Sequence, residues 1–201
     1  MLNAIETVLK TGEESFYTNN GKLPINVLSF WQWSNSELIG NTLRGVLAEF
    51  IVASSIDMVH KPREEWDAFD LETNNGLKIE VKSSAYLQSW KQEKYSNIKF
   101  GIQPTIVDNA KNKEKNQVKK RQADLYVFCV LHHKDKKTVD PLNLSQWTFY
   151  LLNTNELNDK KPRQKSITLS SLLTLNPIQV KYDNLSTELN KLDNNYVERN
   201  R

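Results

Sequence analysis

The chain has 201 residues, 38% of them hydrophobic and 25% charged, and a formal net charge of +3. That length and balance support one domain with a sizeable core and exclude disordered, collagen-like and repeat classes. No run approaches the ~20 apolar residues of a membrane span, so no membrane partner is expected.

Residues 1–14, MLNAIETVLKTGEE, lack the basic start and apolar centre of a secretory signal, and a cytoplasmic location is expected. A short helix is predicted over residues 2–9, then a polar turn at 17–22. The apolar, tryptophan-rich run at 23–33 reads as packing surface, since aromatics dominate buried area. Ser34-Asn35-Ser36-Glu37 has the form of a capping box, so one helix is predicted from there to about Ile56. A helical wheel groups Leu43, Val46, Leu47, Phe50 and Ser54, with Glu49 at the boundary of that face beside small residues.

The segment that carries the functional argument is 66–82, WDAFDLETNNGLKIEVK. Asn75-Gly76 between two β-like runs predicts an antiparallel hairpin. In its second strand the period of two sends Leu77, Ile79 and Val81 one way and Lys78, Glu80 and Lys82 the other. A symmetric loop over 72–76 would pair Leu71 with Leu77 and place Asp70 opposite Lys78, with Glu80 as its diagonal neighbour. A bulge at Gly76 would instead turn Asp70 away and promote Asp67.

Beyond the hairpin, a polar and aromatic stretch (83–95) leads to a strand at 98–102. Residues 108–122 are lysine-rich, with Asp108 and Glu114 as their only acids. The continuous apolar run 125–131 predicts a buried central strand in which Cys129 is an inert core thiol, and 147–152 reads as its neighbour. A strand at 166–169, a helix at 170–175, a strand at 178–182 and a helix at 185–192 follow, with a frayed tail from 194. The pattern implies an α/β or α+β fold, a central mixed sheet flanked by helices. The expected organisation is a single domain over 1–201, with an N-terminal helical appendage (1–33), a core (34–131) and C-terminal strands and helices (132–201).

Glycine-rich phosphate loops and the nucleophile elbow are absent from the sequence. Of the three histidines, the adjacent His132 and His133 close a strand and face opposite ways, and with one cysteine a structural zinc site has no support. The carboxylate pair and its lysine remain. Hard oxygen ligands in low number suit Mg²⁺ bound beside a phosphate, Lys82 can orient or deprotonate water or neutralise developing charge, and Glu49 can complete the set.

Asp70, nine residues, then Glu80-Val81-Lys82 resembles the signature of the restriction-endonuclease-like, or PD-(D/E)xK, nuclease superfamily, with Phe69 where the name-giving proline would stand. Arg44-Gly45-Val46-Leu47-Ala48-Glu49 resembles its first core helix, and the run EVKSSAYLQSW is similar to microbial proteins of this class. The resemblance implies a restriction-endonuclease-like core and metal-dependent hydrolysis of DNA. Asp70, Glu80 and Glu49 would serve as metal ligands for Mg²⁺, with Mn²⁺ as a substitute, and Lys82 as the catalytic lysine. Gln88, Lys91, Lys119, Lys120 and Arg121 are the residues expected to contact nucleic acid. Two-strand cleavage would favour a homodimer. The alternative is a non-catalytic nucleic-acid-binding or assembly module that keeps the nuclease fold.

Overall fold

Runs of alternating or continuous apolar residues become the strands. In the computed structural model, which describes residues 2, 5–63, 68–106 and 119–199, the first elements are an antiparallel hairpin, β1 (Ser15–Thr18) and β2 (Gly21–Asn26), and helix α1 (Val27–Asn35). Helix α2 (Asn41–Ser55) follows, then β3 (Leu71–Glu72), β4 (Lys78–Ala85), β5 (Lys99–Gly101), β6 (Leu125–Leu131) and β7 (Trp147–Asn153). After them come α3 (Thr154–Lys160), β8 (Ser166–Thr168), α4 (Leu169–Leu173), β9 (Ile178–Val180) and α5 (Tyr182–Arg199).

A mixed five-stranded sheet in the order β3-β4-β6-β7-β9 forms the frame, with β4 and β6 parallel and the other pairs antiparallel. Alternation along β6 divides the interior. Leu125, Val127, Cys129 and Leu131 join Ile79, Val81, Phe149, α2 and α5 in one core. Tyr126, Phe128 and Val130 join Phe100, Leu157, Ile167 and Leu172 in the other, under the small β5-β8 sheet. Both faces of β6 are therefore covered, which is why its sequence is apolar throughout. Among the described residues, no helix is long and apolar enough to cross a membrane.

Several expectations need correction. The predicted helix from 34 is two helices, broken over residues 36–40. Ser34 donates its hydroxyl back to the Phe30 carbonyl (2.8 Å), so it belongs to the end of α1 and caps nothing downstream. The cap that does form is on α1, where Asn26 accepts from the Ser29 N–H (2.9 Å) and Ser29 reciprocates. The buried stripe of α2 is Arg44, Ala48, Ile51 and Val52, with Ala53 beside it, while Val46 and Phe50 face outward. A charged residue lies in that stripe because its guanidinium is satisfied there. Arg44 Nε donates to Ser83 Oγ (3.1 Å), and Nη1 and Nη2 donate to the Ile39 carbonyl and Asn41 Oδ1 (both 2.8 Å).

The β3–β4 register also differs: Leu71 pairs with Ile79 and Glu72 with Lys78. Thr73 and Leu77 close the loop, with Thr73 N–H on the Leu77 carbonyl (3.0 Å) and Gly76 N–H on the Thr73 carbonyl (2.9 Å), and Gly76 takes φ +86°. A left-handed residue ending a three-residue loop is a glycine's role. The shift is two residues, so every side chain keeps its face and Asp70 comes level with Glu80.

Toward the amino end, residues 5–10 take no helical structure, and the appendage is a hairpin and a helix. At the other end, α5 continues to Arg199 through the segment expected to fray. Leu185 and Leu189 are buried, and Leu192 and Tyr196 continue the same stripe onto the core. Most of the lysine-rich segment 108–122, its residues 108–118, lies outside the described residues, as does Asp67.

Candidate active site

The site is a product of how little of β4 is paired with β3. Only two residue pairs join them, so the β4 edge beyond Ile79 has lost its strand partner and its backbone donors need others. Asp70 supplies one. Its own N–H donates to the Ile79 carbonyl (3.0 Å), and its Oδ2 accepts the Val81 N–H at 2.6 Å. The carboxylate is thereby fixed on the backbone next to Glu80.

Burial pushes the Asp70 carboxyl up to about 6, and the negative charges of Glu80 and, more weakly, Glu49 push in the same direction. The Val81 N–H and Lys82 act against them. Three acids are thus in electrostatic reach of one another. Lys82 Nζ forms an ion pair with Glu80 Oε1, as their shared face of β4 predicts. On α2, Glu49 is held by Arg63, whose Nε meets Oε2 and whose Nη2 donates to Oε1 at 3.2 Å. Among the described residues no group of three or more His, Cys, Asp or Glu is close enough together to hold a metal ion; the β3–β4 register brings Asp70 level with Glu80, and Glu49 bears on Asp70 through its charge.

One neighbour was missed by sequence reasoning. Tyr126, aligned with Glu80 in the parallel β4–β6 ladder, is buried, and its hydroxyl is held strongly in the neutral form by burial and then by the charges of Glu80 and Asp70. The signal available in sequence was only a polar-tipped aromatic in an otherwise apolar central strand. On the other face, Cys129 is fully buried and its thiol is pushed up by burial and by Asp70 and Glu49.

The residues expected to meet nucleic acid fall into two groups. Lys91, Lys119 and Lys120 are exposed. Gln88 is buried, its Nε2 reaching Ser96 Oγ (3.2 Å) and the Ala85 carbonyl (3.4 Å), while its Oε1 has no hydrogen-bond partner among the described residues. Arg121 is buried too, with its donors spent on the Ile102 and Lys161 carbonyls and Asn158 Oδ1, each at 2.8 Å. His132 and His133 bond separately, to Thr148 and Thr138.

The turn that sets the register is tied from outside. Asp193 of α5 accepts from Thr73 Oγ1 (2.6 Å) and Asn75 Nδ2 (2.7 Å). The position of Asp70 against Glu80 therefore depends on a residue 123 positions away in sequence.

A paired set of acids with a lysine at the edge of a sheet can bind a cation and a phosphate side by side. A family model described as Bacteriophage T4 endonuclease IV matches residues 26–171, a span that holds α2, the β3–β4 hairpin and the whole acidic group. No curated protein matches the chain.

Proposed function

The chain belongs to the bacteriophage T4 endonuclease IV family, and we propose that it is a metal-dependent DNA endonuclease whose site is Asp70, Glu80 and Lys82, assisted by Glu49. The observation that carries this reading is the Asp70 carboxyl, raised to about 6 by burial and by two neighbouring acids. A fold that holds acids together against their repulsion has built a place where a cation is favoured. The resemblance of Asp70…Glu80-Val81-Lys82 to the PD-(D/E)xK signature supports the same assignment.

Two carboxylates on neighbouring strands match the hard, sparse ligand set that Mg²⁺ accepts, with Mn²⁺ as a substitute. Asp70 and Glu80 would hold the ion and Glu49 would complete its surroundings; when bound it supplies Lewis-acid polarisation of a phosphodiester. The chain's own residues do the rest. The Val81 N–H fixes Asp70 so that its carboxylate cannot swing away. Lys82, kept on the face of Glu80 by their ion pair, neutralises charge that develops on phosphate oxygens as water attacks and the P–O bond breaks. Exposed Lys91, Lys119 and Lys120 offer charge to the DNA backbone, a contribution that weakens with salt.

The test is cleavage of DNA with Mg²⁺ or Mn²⁺, abolished by EDTA and by Lys82→Ala. Unchanged cleavage by the Lys82→Ala protein excludes this site. Isothermal titration with Mn²⁺ reads the ligands apart from turnover: Glu80→Gln weakens binding more than Glu49→Gln. A second reading, a nucleic-acid-binding module without catalysis, draws on the ion pairs that occupy Glu80 and Glu49. It requires DNA binding that is indifferent to metal and to Asp70→Asn.

A further inference from the structure

Tyr126 lies in the central strand yet shares a face with the acids. A parallel ladder sends aligned residues to the same side of the sheet, so Tyr126 points the way of Glu80, and Phe128 the way of Lys82. Packing fixes the ring. It stacks on Phe128, with centroids 5.6 Å apart and planes at 22°, in the core that also holds Phe100, Leu152 and Leu157. The residue is 4% exposed. A buried tyrosine normally finds a partner for its O–H, because a polar group left unpaired in the interior is costly. Among the described residues none makes a hydrogen bond with the Tyr126 hydroxyl.

The acids beside it are engaged elsewhere. Asp70 Oδ2 accepts the Val81 N–H at 2.6 Å, and Glu80 Oε1 is paired with Lys82 Nζ. Both carboxylates bear on the Tyr126 hydroxyl through their charge, and Arg121 bears on it in the opposite sense while its own donors go to the Ile102 and Lys161 carbonyls and Asn158. A phenol is a hydrogen-bond donor at neutral pH. A rigid donor without an acceptor among the described residues therefore lies level with Glu80, at the place where a phosphodiester would meet the acids and Lys82. Such a donor suits an oxygen that gathers negative charge during the reaction, since it needs no reorganisation when that charge appears.

We propose that Tyr126 is a catalytic residue whose hydroxyl donates a hydrogen bond to a non-bridging oxygen of the phosphate under attack. The phenol keeps its proton. Water adds to phosphorus and gives up a proton to solvent, the electron pair of the broken P–O bond leaves with the departing oxygen, and the bond from Tyr126 strengthens as charge grows on the oxygen it holds. Lys82 meets that charge from β4 and Tyr126 meets it from β6. The inference rests on the endonuclease reading of Asp70, Glu80 and Lys82.

Steady-state cleavage of DNA by the wild-type and Tyr126→Phe chains, joined to calorimetric titration of both with Mn²⁺, tests it. Phenylalanine keeps the ring and its stacking and removes only the donor. In Tyr126→Phe, kcat should fall by about tenfold to a hundredfold while KM and the Mn²⁺ dissociation constant stay within about threefold of wild type, because the bond counts most in the transition state and is not made to the acids. Wild-type kcat in Tyr126→Phe overturns the proposal and leaves the assignment of Asp70, Glu80 and Lys82 standing. Mn²⁺ affinity that weakens in step with kcat also overturns it, since the hydroxyl would then be orienting the acids. A wild-type chain that cleaves no DNA with either metal removes the endonuclease reading and this proposal together.

Discussion

Two β-hairpins in this molecule begin from similar local chemistry and end in opposite states. Each turns through asparagine and a glycine with positive φ, Asn19-Asn20-Gly21 (φ +120°) in one and Asn74-Asn75-Gly76 (φ +86°) in the other. The β1–β2 hairpin is nearly uncharged yet lies exposed, whereas the β3–β4 hairpin carries acids and lysines yet is drawn into the main sheet and tied to α5. Residue polarity alone would have exchanged their places. Among the described residues the apolar hairpin buries no side chain, while the charged one is held where its charges are costly, as functional sites often are.

That contrast can be broken at its charged end first. Glu80→Gln or Lys82→Ala should lower DNA cleavage by at least about a hundredfold, the usual size of losing one group that stabilises transition-state charge, while thermal unfolding stays near wild type. Next is the tether. Asp193→Ala removes the acceptor of Thr73 and Asn75 and should cost about 1–3 kcal/mol in urea unfolding, since hydrogen bonds to a charged group are worth about that much. Cleavage should fall with it, because the register that aligns Asp70 with Glu80 loosens.

A smaller effect follows from protonation. Asp70 titrates near 6 in the folded protein, above its ordinary value, so the native state binds this proton more tightly than the unfolded chain does. The stability it contributes is complete below pH ~4, the range of an unperturbed aspartate, and is lost as pH rises through about 6. Melting temperatures in EDTA should therefore drop between pH 5 and 7.5 by more in wild type than in Asp70→Asn; equal slopes would mean the carboxyl is not strained. Smallest of all, Trp33→Ala should change monomer unfolding by less than ~0.5 kcal/mol, as for a surface side chain. A larger loss would show that the exposed hairpin and helix support the fold of their own chain.

How far the sequence revealed this arrangement depended on the kind of signal. Central strands β6 and β7 were legible because burial on both faces demands unbroken apolar runs, and the face shared by Glu80 and Lys82 followed from the strand period. The two-residue shift in register was not legible, because it rests on Gly76 adopting the left-handed region and on Asp193, far away in the chain. The buried stripe of α2 was misplaced because a wheel centred on Leu43, Val46, Leu47 and Phe50 leaves out Arg44, whose burial three acceptors of its own neighbourhood make tolerable. Helix α3 escaped notice since Thr154–Lys160 has a single buried aliphatic, Leu157, and owes its start to the Asn153 cap. The end of α5 was lost to its polar composition, which hid Leu192 and Tyr196 at helical spacing from Leu185 and Leu189.

The buried Cys129 has a use of its own. It is the sole cysteine of the chain, fully enclosed in the central strand, and burial, then the charges of Asp70 and Glu49, suppress its ionisation. A thiol reagent can reach it only when the α2–α5 layer lifts from the sheet. Its labelling rate thus works as an internal clock for that opening, and it can be read on the wild-type protein with no added probe. Slowing of the clock on addition of Mg²⁺ would report, without any substrate, that the ion draws the β3–β4 edge and its neighbouring helix together.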